Sequence, residues 1–206
     1  MKPRMAAVIL AGGKGERLGG VIKANVTIGE VRLLERVSAA MQGADVVLVS
    51  VGRFDPANLD LLPGQIAVPD LPTDYGGPLA GVAAAVDWCV QQDQPPELLL
   101  TAAVDTPLLP ADFAARMLAA LPDGVPAVVA RYAGQEYPTN ALWRVAAIAG
   151  LAADLRAGTA PHSLRRLAGG LGAAFLDWPD GGGDPFANLN TPADLLTLEA
   201  RAAGGN

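Results

Sequence analysis

The sequence predicts an α/β protein built on a mostly parallel sheet, and three observations carry that expectation. Half of the 206 residues are apolar (51%) while only 5% are aromatic, a mixture rich in Ala, Leu, Val and Gly that suits helices packed on a buried sheet. Short apolar runs recur along the chain, each stopped by turn-forming residues, as strands buried on both faces read. Segments with apolar residues at helical spacing separate them, and such alternation argues for parallel pairing through crossovers. At this length one domain spanning residues 1–206 is expected.

The elements follow in order. Ala6 to Leu10 is an apolar run halted by Ala11-Gly12-Gly13 and reads as a buried strand. From Val31, Leu33, Leu34, Val37, Ala40 and Met41 keep helical spacing until Gly43, where a closing glycine is expected. Asp45 to Val51 is the second strand and Ile66 to Val68 a short third, which ends in PDLPTDYGGP. Leu79 to Val90 reads as a helix, and Leu98 to Val104 as the central strand, followed directly by Asp105-Thr106-Pro107. A helix over Ala111 to Leu121 and a strand over Ala127 to Arg131 come next. Between Tyr137 and Gly172 the pattern gives a strand near Asn140 to Trp143 and helical stretches at Ala146 to Arg156 and Ser163 to Ala168. Ala173 to Leu176 is the last strand. The final helix has the clearest start, with Thr191 as cap, Pro192 in first position and Asp194 three residues after the cap.

Several classes of function are excluded by composition. The apolar runs are interrupted by Asp87, Asp105, Arg144 and Asp154, so none reaches the roughly 20 residues that span a bilayer. The N-terminal MKPRMAAVIL is followed at once by the charged GGKGERLGG without a cleavage site, which predicts a cytoplasmic protein rather than a secreted one. One cysteine, Cys89, and one histidine, His162, make neither a disulfide nor a zinc cluster and read as packing and surface residues. Net charge is −6, but residues 1–36 hold seven Lys or Arg against three Glu, leaving −10 on the rest. A nucleic acid needs a broad basic face; a cationic cluster on an acidic chain suits one compact polyanion.

That cluster lies in LAGGKGERLGGVIK, Leu10 to Lys23, where five glycines in fourteen residues expose backbone N–H groups to phosphate oxygens beside Lys14, Arg17 and Lys23. It matches neither the P-loop nor the GxGxxG pattern. Ligands of parallel sheets collect at the C-terminal strand edge, which is expected to gather this loop, PDLPTDYGGP and Asp105. At the exit of a rigid strand Asp105 can hold Mg²⁺ together with substrate phosphates; taken alone, starting the turn at Thr106-Pro107 explains it equally well, and the Gly-rich loop beside it favours the metal role. Asp70 and Asp74 can accept hydrogen bonds from a ribose or base, with Gly76, Gly77 and Pro78 leading into a helix N-terminus that favours an anion, although a simple turn accounts for them nearly as well. Asn188 and Asn190 suit either a metal or phosphate contact or ordinary loop and cap positions. Arg165 and Arg166 are a modest basic pair that could meet a phosphate but read better as a solvated helix face.

Five segments in order, LAGGKGERLGGVIK, PDLPTDYGGPLAG, DTPLLP, EYPTNALW and DPFANLNTPADL, make the chain resemble the molybdenum cofactor guanylyltransferases over nearly its whole length. The resemblance implies a three-layer α/β/α sandwich with a mostly parallel, Rossmann-like sheet. It implies GTP bound over Leu10, Ala11, Gly12 and Gly13, Lys23 on the phosphates, Asp70 near the guanosine and Asp105 on Mg²⁺. GMP would pass to the terminal phosphate of molybdopterin or its molybdenum form with release of pyrophosphate. Mg²⁺, Lys23, Arg17 and loop N–H groups would neutralise the leaving group, and Asn188 and Asn190 would contact the acceptor. A phosphate nucleophile is already ionised, so no general base is required. The resemblance also leaves room for a protein that delivers the cofactor. Tyr137 stands where the family has His, Ile22 where it has Asp, and the Asn expected near Ser50 to Gly52 is missing. The other readings are a cytidylyl- or sugar-phosphate nucleotidyltransferase and a nucleotide-binding protein that has lost catalysis.

Overall fold

The computed structural model describes residues 3–15, 20–52, 54–179 and 182–204. Seven strands form one sheet: β1 (Met5–Leu10), β2 (Val46–Gly52), β3 (Ile66–Pro69), β4 (Leu98–Ala103), β5 (Ala127–Tyr132), β6 (Gln135–Arg144) and β7 (Ala174–Trp178), in the spatial order β7-β5-β6-β4-β1-β2-β3. Helices α1 (Leu33–Ala39), α2 (Pro78–Val90), α3 (Phe113–Ala119), α4 (Val145–Ile148), α5 (Leu151–Ala157), α6 (Leu164–Leu171) and α7 (Pro192–Ala203) cover it.

Alternation along β1 shows why the helices lie on both faces. Met5, Ala7 and Ile9 enter one apolar cluster with Leu33, Leu34 and Val37 of α1, Phe113 and Met117 of α3 and Leu198 of α7. Ala6, Val8 and Leu10 enter a second with α2, Ile148, Leu151, Leu155 and Leu164. Successive side chains of a strand point to opposite faces, so a wholly buried strand requires two apolar layers, and the expected three-layer sandwich results.

One strand departs from the parallel arrangement. The strand expected at Asn140 to Trp143 extends to ten residues and runs antiparallel between β4 and β5. Its cause is the two-residue connection Ala133-Gly134, where both residues have positive φ (47° and 79°). That geometry matches the twist of a tight hairpin and sends the chain back beside β5. The expected helix over Ala146 to Arg156 is interrupted at Ala149 and Gly150, giving α4 and α5. The helix read from Val31 starts only at Leu33, since Val31 and Arg32 pair with Thr27 and Ile28 across a turn at Gly29. The capping box of α7 is present as read: Thr191 Oγ1 accepts from the Asp194 N–H, and Asp194 accepts from the Thr191 N–H at 2.7 Å. Among the described residues no helix is long and apolar enough to cross a membrane.

Candidate active site

Strand register decides which residues meet. Leu10 pairs with Ser50 of β2 and with Ala103 of β4, while Ser50 pairs with Val68 of β3. The four strands therefore end level, and Gly12, Asp70 and Asp105, each just beyond a strand end, surround one cleft of about 260 Å³. Leu10, Gly13, Ser50, Thr139, Asn188 and the Gly77-Pro78 start of α2 complete its walls. The N–H groups of a helix's first turn lack intrahelical partners and favour an anion, so α2 adds positive potential to this edge.

The glycines act through proximity. A methyl built on Gly12 would lie 2.7 Å from the Gly52 Cα, and Gly52 itself has φ +63°; the two backbones touch where no side chain fits. A methyl built on Gly13 would meet nothing within 4 Å among the described residues, and Gly13 lines the cleft without a side chain. Ala11 is buried and its N–H donates to the Ser50 carbonyl at 2.8 Å, so it supports the wall from behind. Ser50 also donates its hydroxyl to Asp70 Oδ1 at 3.2 Å, orienting the carboxylate at the cleft.

Lys23 and Asp105 are 82 residues apart in sequence, yet Lys23 Nζ lies 2.8 Å from Asp105 Oδ2 and 2.7 Å from Asn190 Oδ1. Lys23 is only 8% exposed, and burial of an ammonium is tolerated because both acceptors satisfy it. The turn presenting Asp105 is closed by Thr106, whose hydroxyl donates to the Ala103 carbonyl at 2.7 Å. Asp105 is thus both the turn residue and a site residue. Buried Asn140 braces this turn, accepting at 3.4 Å from the Ala103 N–H.

Segment 184–190 straps across this corner. Tyr137 donates its hydroxyl to Asp184 Oδ2 at 2.7 Å, and Asp184 Oδ1 accepts from the Phe186 N–H at 2.8 Å. Phe186 is wholly buried, 4.8 Å from the Tyr137 ring and 5.2 Å from Trp178. The Leu189 N–H then donates to the Asp105 carbonyl at 2.8 Å. Burial and the Asp184 carboxylate push the Tyr137 phenol well above its ordinary range.

Of the residues expected from the sequence, Leu10, Gly12, Gly13, Asp70, Asp105 and Asn188 line the cleft. Lys23 reaches it through Asp105, and Asn190 turns its carboxamide onto Lys23. Arg17 lies outside the described residues. Asp74 lines the adjoining open groove that begins at Asp70. Exposed His162 stacks on Tyr75 at 6.2 Å, Arg165 pairs with Glu136 at 2.9 Å, and Cys89 is buried with its thiol pushed up to about 12 by desolvation. Ser50 and Thr139 are functional candidates that the sequence reading did not pick as site residues. Thr139 arrives because β6 is antiparallel, which places its first half at the same edge as the ends of β1 and β4; only the hairpin dipeptide Ala133-Gly134 signals this.

The geometry is matched by kinship. Residues 7–173 fit the model of the MobA-like NTP transferase domain. The molybdenum cofactor guanylyltransferase of Rhodobacter capsulatus is 40% identical over 203 residues, covering 96% of each chain. The crystal structure of molybdopterin-guanine dinucleotide biosynthesis protein A from Archaeoglobus fulgidus superposes with a TM-score of 0.70 at 20% identity over 97% of this chain and 99% of its own. That of 2-C-methyl-D-erythritol 4-phosphate cytidylyltransferase from Thermus thermophilus gives 0.67 at 21% identity, over 98% of this chain and 100% of its own. These two structures share the fold, and the family itself rests on the sequence match that spans strands β1 to β6 with the cleft they enclose: the chain belongs to the MobA-like NTP transferases.

Proposed function

We propose that this protein transfers GMP from GTP to the terminal phosphate of molybdopterin or its molybdenum-bearing form and releases pyrophosphate. The observation that carries the reading is the convergence of side-chain-free backbone at Gly12 and Gly13, the Lys23 ammonium and the Asp105 carboxylate on one sheet edge. The 40% identity to a protein named for that activity supports the choice of nucleotide and acceptor.

In the reaction, an acceptor phosphate oxygen attacks the α-phosphorus of GTP and the bond to the bridging oxygen of the β-phosphate breaks. No proton has to be removed from the nucleophile. What this chain supplies is alignment and charge. Gly12 and Gly13 let the triphosphate lie against backbone, and Lys23 faces its oxygens. Asp70, steadied by Ser50, faces the guanosine, and Asn188 faces the acceptor side.

Mg²⁺ belongs to the same proposal. Among the described residues no three His, Cys, Asp or Glu side chains gather as a metal cage. Asp105, with Asn188 and Thr139 lining the same cleft, instead offers a hard oxygen donor set, which suits Mg²⁺ shared with substrate phosphates. When bound, the ion neutralises charge on the triphosphate. The test is pyrophosphate release with Mg²⁺ and molybdopterin, comparing GTP, CTP, ATP and UTP. Release with GTP alone is expected; equal or greater release with CTP would move the protein to the cytidylyltransferases, whose fold it shares.

A further inference from the structure

The geometry points to Asn190 as the positioning residue for Lys23, acting on the nucleotide half of the reaction and not on the acceptor. This rests on the nucleotidyltransferase reading above and deepens it. Asn190 does not line the cleft, whereas Asn188 does. Its carboxamide oxygen sits 2.7 Å from Lys23 Nζ. A lysine ammonium donates and never accepts, so the oxygen side of the amide has to face it.

The backbone of Asn190 is held from both sides. The Leu189 N–H is tied to the Asp105 carbonyl at 2.8 Å, and the Asn190 N–H donates to Asp194 Oδ2 at 2.9 Å in the cap of α7. Leu189 itself is wholly buried. Asn190 is therefore a fixed acceptor delivered by the tertiary fold, and one of its two ties, the Leu189 N–H, also holds the Asp105 carbonyl.

The consequence concerns how Lys23 is aimed. An ammonium has three N–H donors, and Asp105 and Asn190 take one each. Held between a charged and a neutral acceptor, the ammonium keeps a third N–H that has no acceptor among the described residues and can point at a phosphate oxygen. Asparagine does this without cancelling the lysine charge, as a second carboxylate would. Without Asn190 the flexible four-carbon stem would let the ammonium settle on Asp105 alone, and both charges would be less available to the triphosphate.

The experiment is a double-mutant cycle on the full chain with Lys23→Ala and Asn190→Ala, reading the GTP dissociation constant by calorimetry in Mg²⁺ and the KM for molybdopterin at saturating GTP. Unfolding midpoints of all variants are compared first, and Asn190→Ser takes the place of Asn190→Ala should the latter fail to fold. Asn190→Ala is expected to weaken GTP about tenfold, the order of one lost charge-assisted hydrogen bond, and to leave the molybdopterin KM within about twofold. In the Lys23→Ala background the same change should cost no more than about twofold, because its target is gone. A raised molybdopterin KM with unchanged GTP affinity would assign Asn190 to the acceptor and overturn the inference, as would losses that simply multiply in the double variant. GTP binding by the unaltered protein is measured beforehand: its absence would defeat the nucleotidyltransferase reading itself, and is distinct from either outcome.

Discussion

Gly12 and Gly13 are neighbours in sequence and have different reasons to lack a side chain. At Gly12 a methyl would meet the Gly52 backbone at 2.7 Å, and backbone cannot rotate away as a side chain can. Gly12→Ala is therefore expected to destabilise the protein by about 1–3 kcal/mol, the usual cost of overpacking, and to weaken nucleotide binding as the loop shifts. Gly13→Ala meets nothing within 4 Å among the described residues and should leave the unfolding midpoint unchanged while weakening GTP. Urea denaturation and calorimetry on the two variants separate these effects; equal stability losses would contradict the argument. Lys23 and Asp105 form the charged centre, so Lys23→Ala and Asp105→Ala should each lower the rate of pyrophosphate release by about 10²–10³, the order found when a group that stabilises developing charge is removed. Near-normal rates in either variant would remove that residue from the chemistry.

At the scale of elements, the strap at 184–190 and the hairpin of β5 and β6 are coupled through one hydroxyl. Tyr137 carries the 2.7 Å hydrogen bond to Asp184 and packs on buried Phe186. Tyr137→Phe keeps the ring and removes the bond to a carboxylate, so about 1–3 kcal/mol of stability should be lost. Because the same strap delivers Asn188 and Asn190, turnover is expected to fall along with the midpoint. Stopped-time assays below the unfolding transition check this, and full activity at reduced stability would show that the strap does not need the tether.

For the whole molecule the response to pH follows from groups whose pKa values differ from those of the unfolded chain. The Arg32 side chain beside Glu35, the Arg131 guanidinium beside Asp177 and the Asn190 and Thr191 donors around Asp194 hold these carboxyls below their ordinary range. A depressed carboxyl stabilises the fold above its unfolded value, about pH 4, and loses that contribution as pH falls through the folded value. Tyr137 has the opposite sign: its raised phenol favours the fold below about pH 10 and ceases to do so as pH rises further. The thermal midpoint should thus be flat near neutrality and decline on both the acid side of about pH 4 and the alkaline side of about pH 10. Tyr137→Phe should flatten the alkaline limb, and an unchanged limb would place that titration elsewhere.

Much of this architecture was legible in residue order, because local signals are strong where they are physical. The six buried residues of β1, the apolar run of β4 and the Thr191-Pro192-Asp194 start of α7 were each readable from periodicity, burial pattern or cap chemistry. The placing of the Gly-rich loop and Asp105 at one strand edge was readable for the same reason. Illegible were the antiparallel course of β6, whose turn uses Ala133 in place of the usual Asn or Asp before Gly134, and the arrival of Ser50 and Thr139 at the cleft. The contact of Lys23 with Asn190 spans 167 residues. No local pattern encodes such a pairing, since it depends on which strands lie side by side and in what register. The sequence by itself thus determined the chemistry on offer, and the tertiary structure decided which atoms stand within hydrogen-bond reach, because side-chain type is a local property and distance across a sheet is a property of the packed whole.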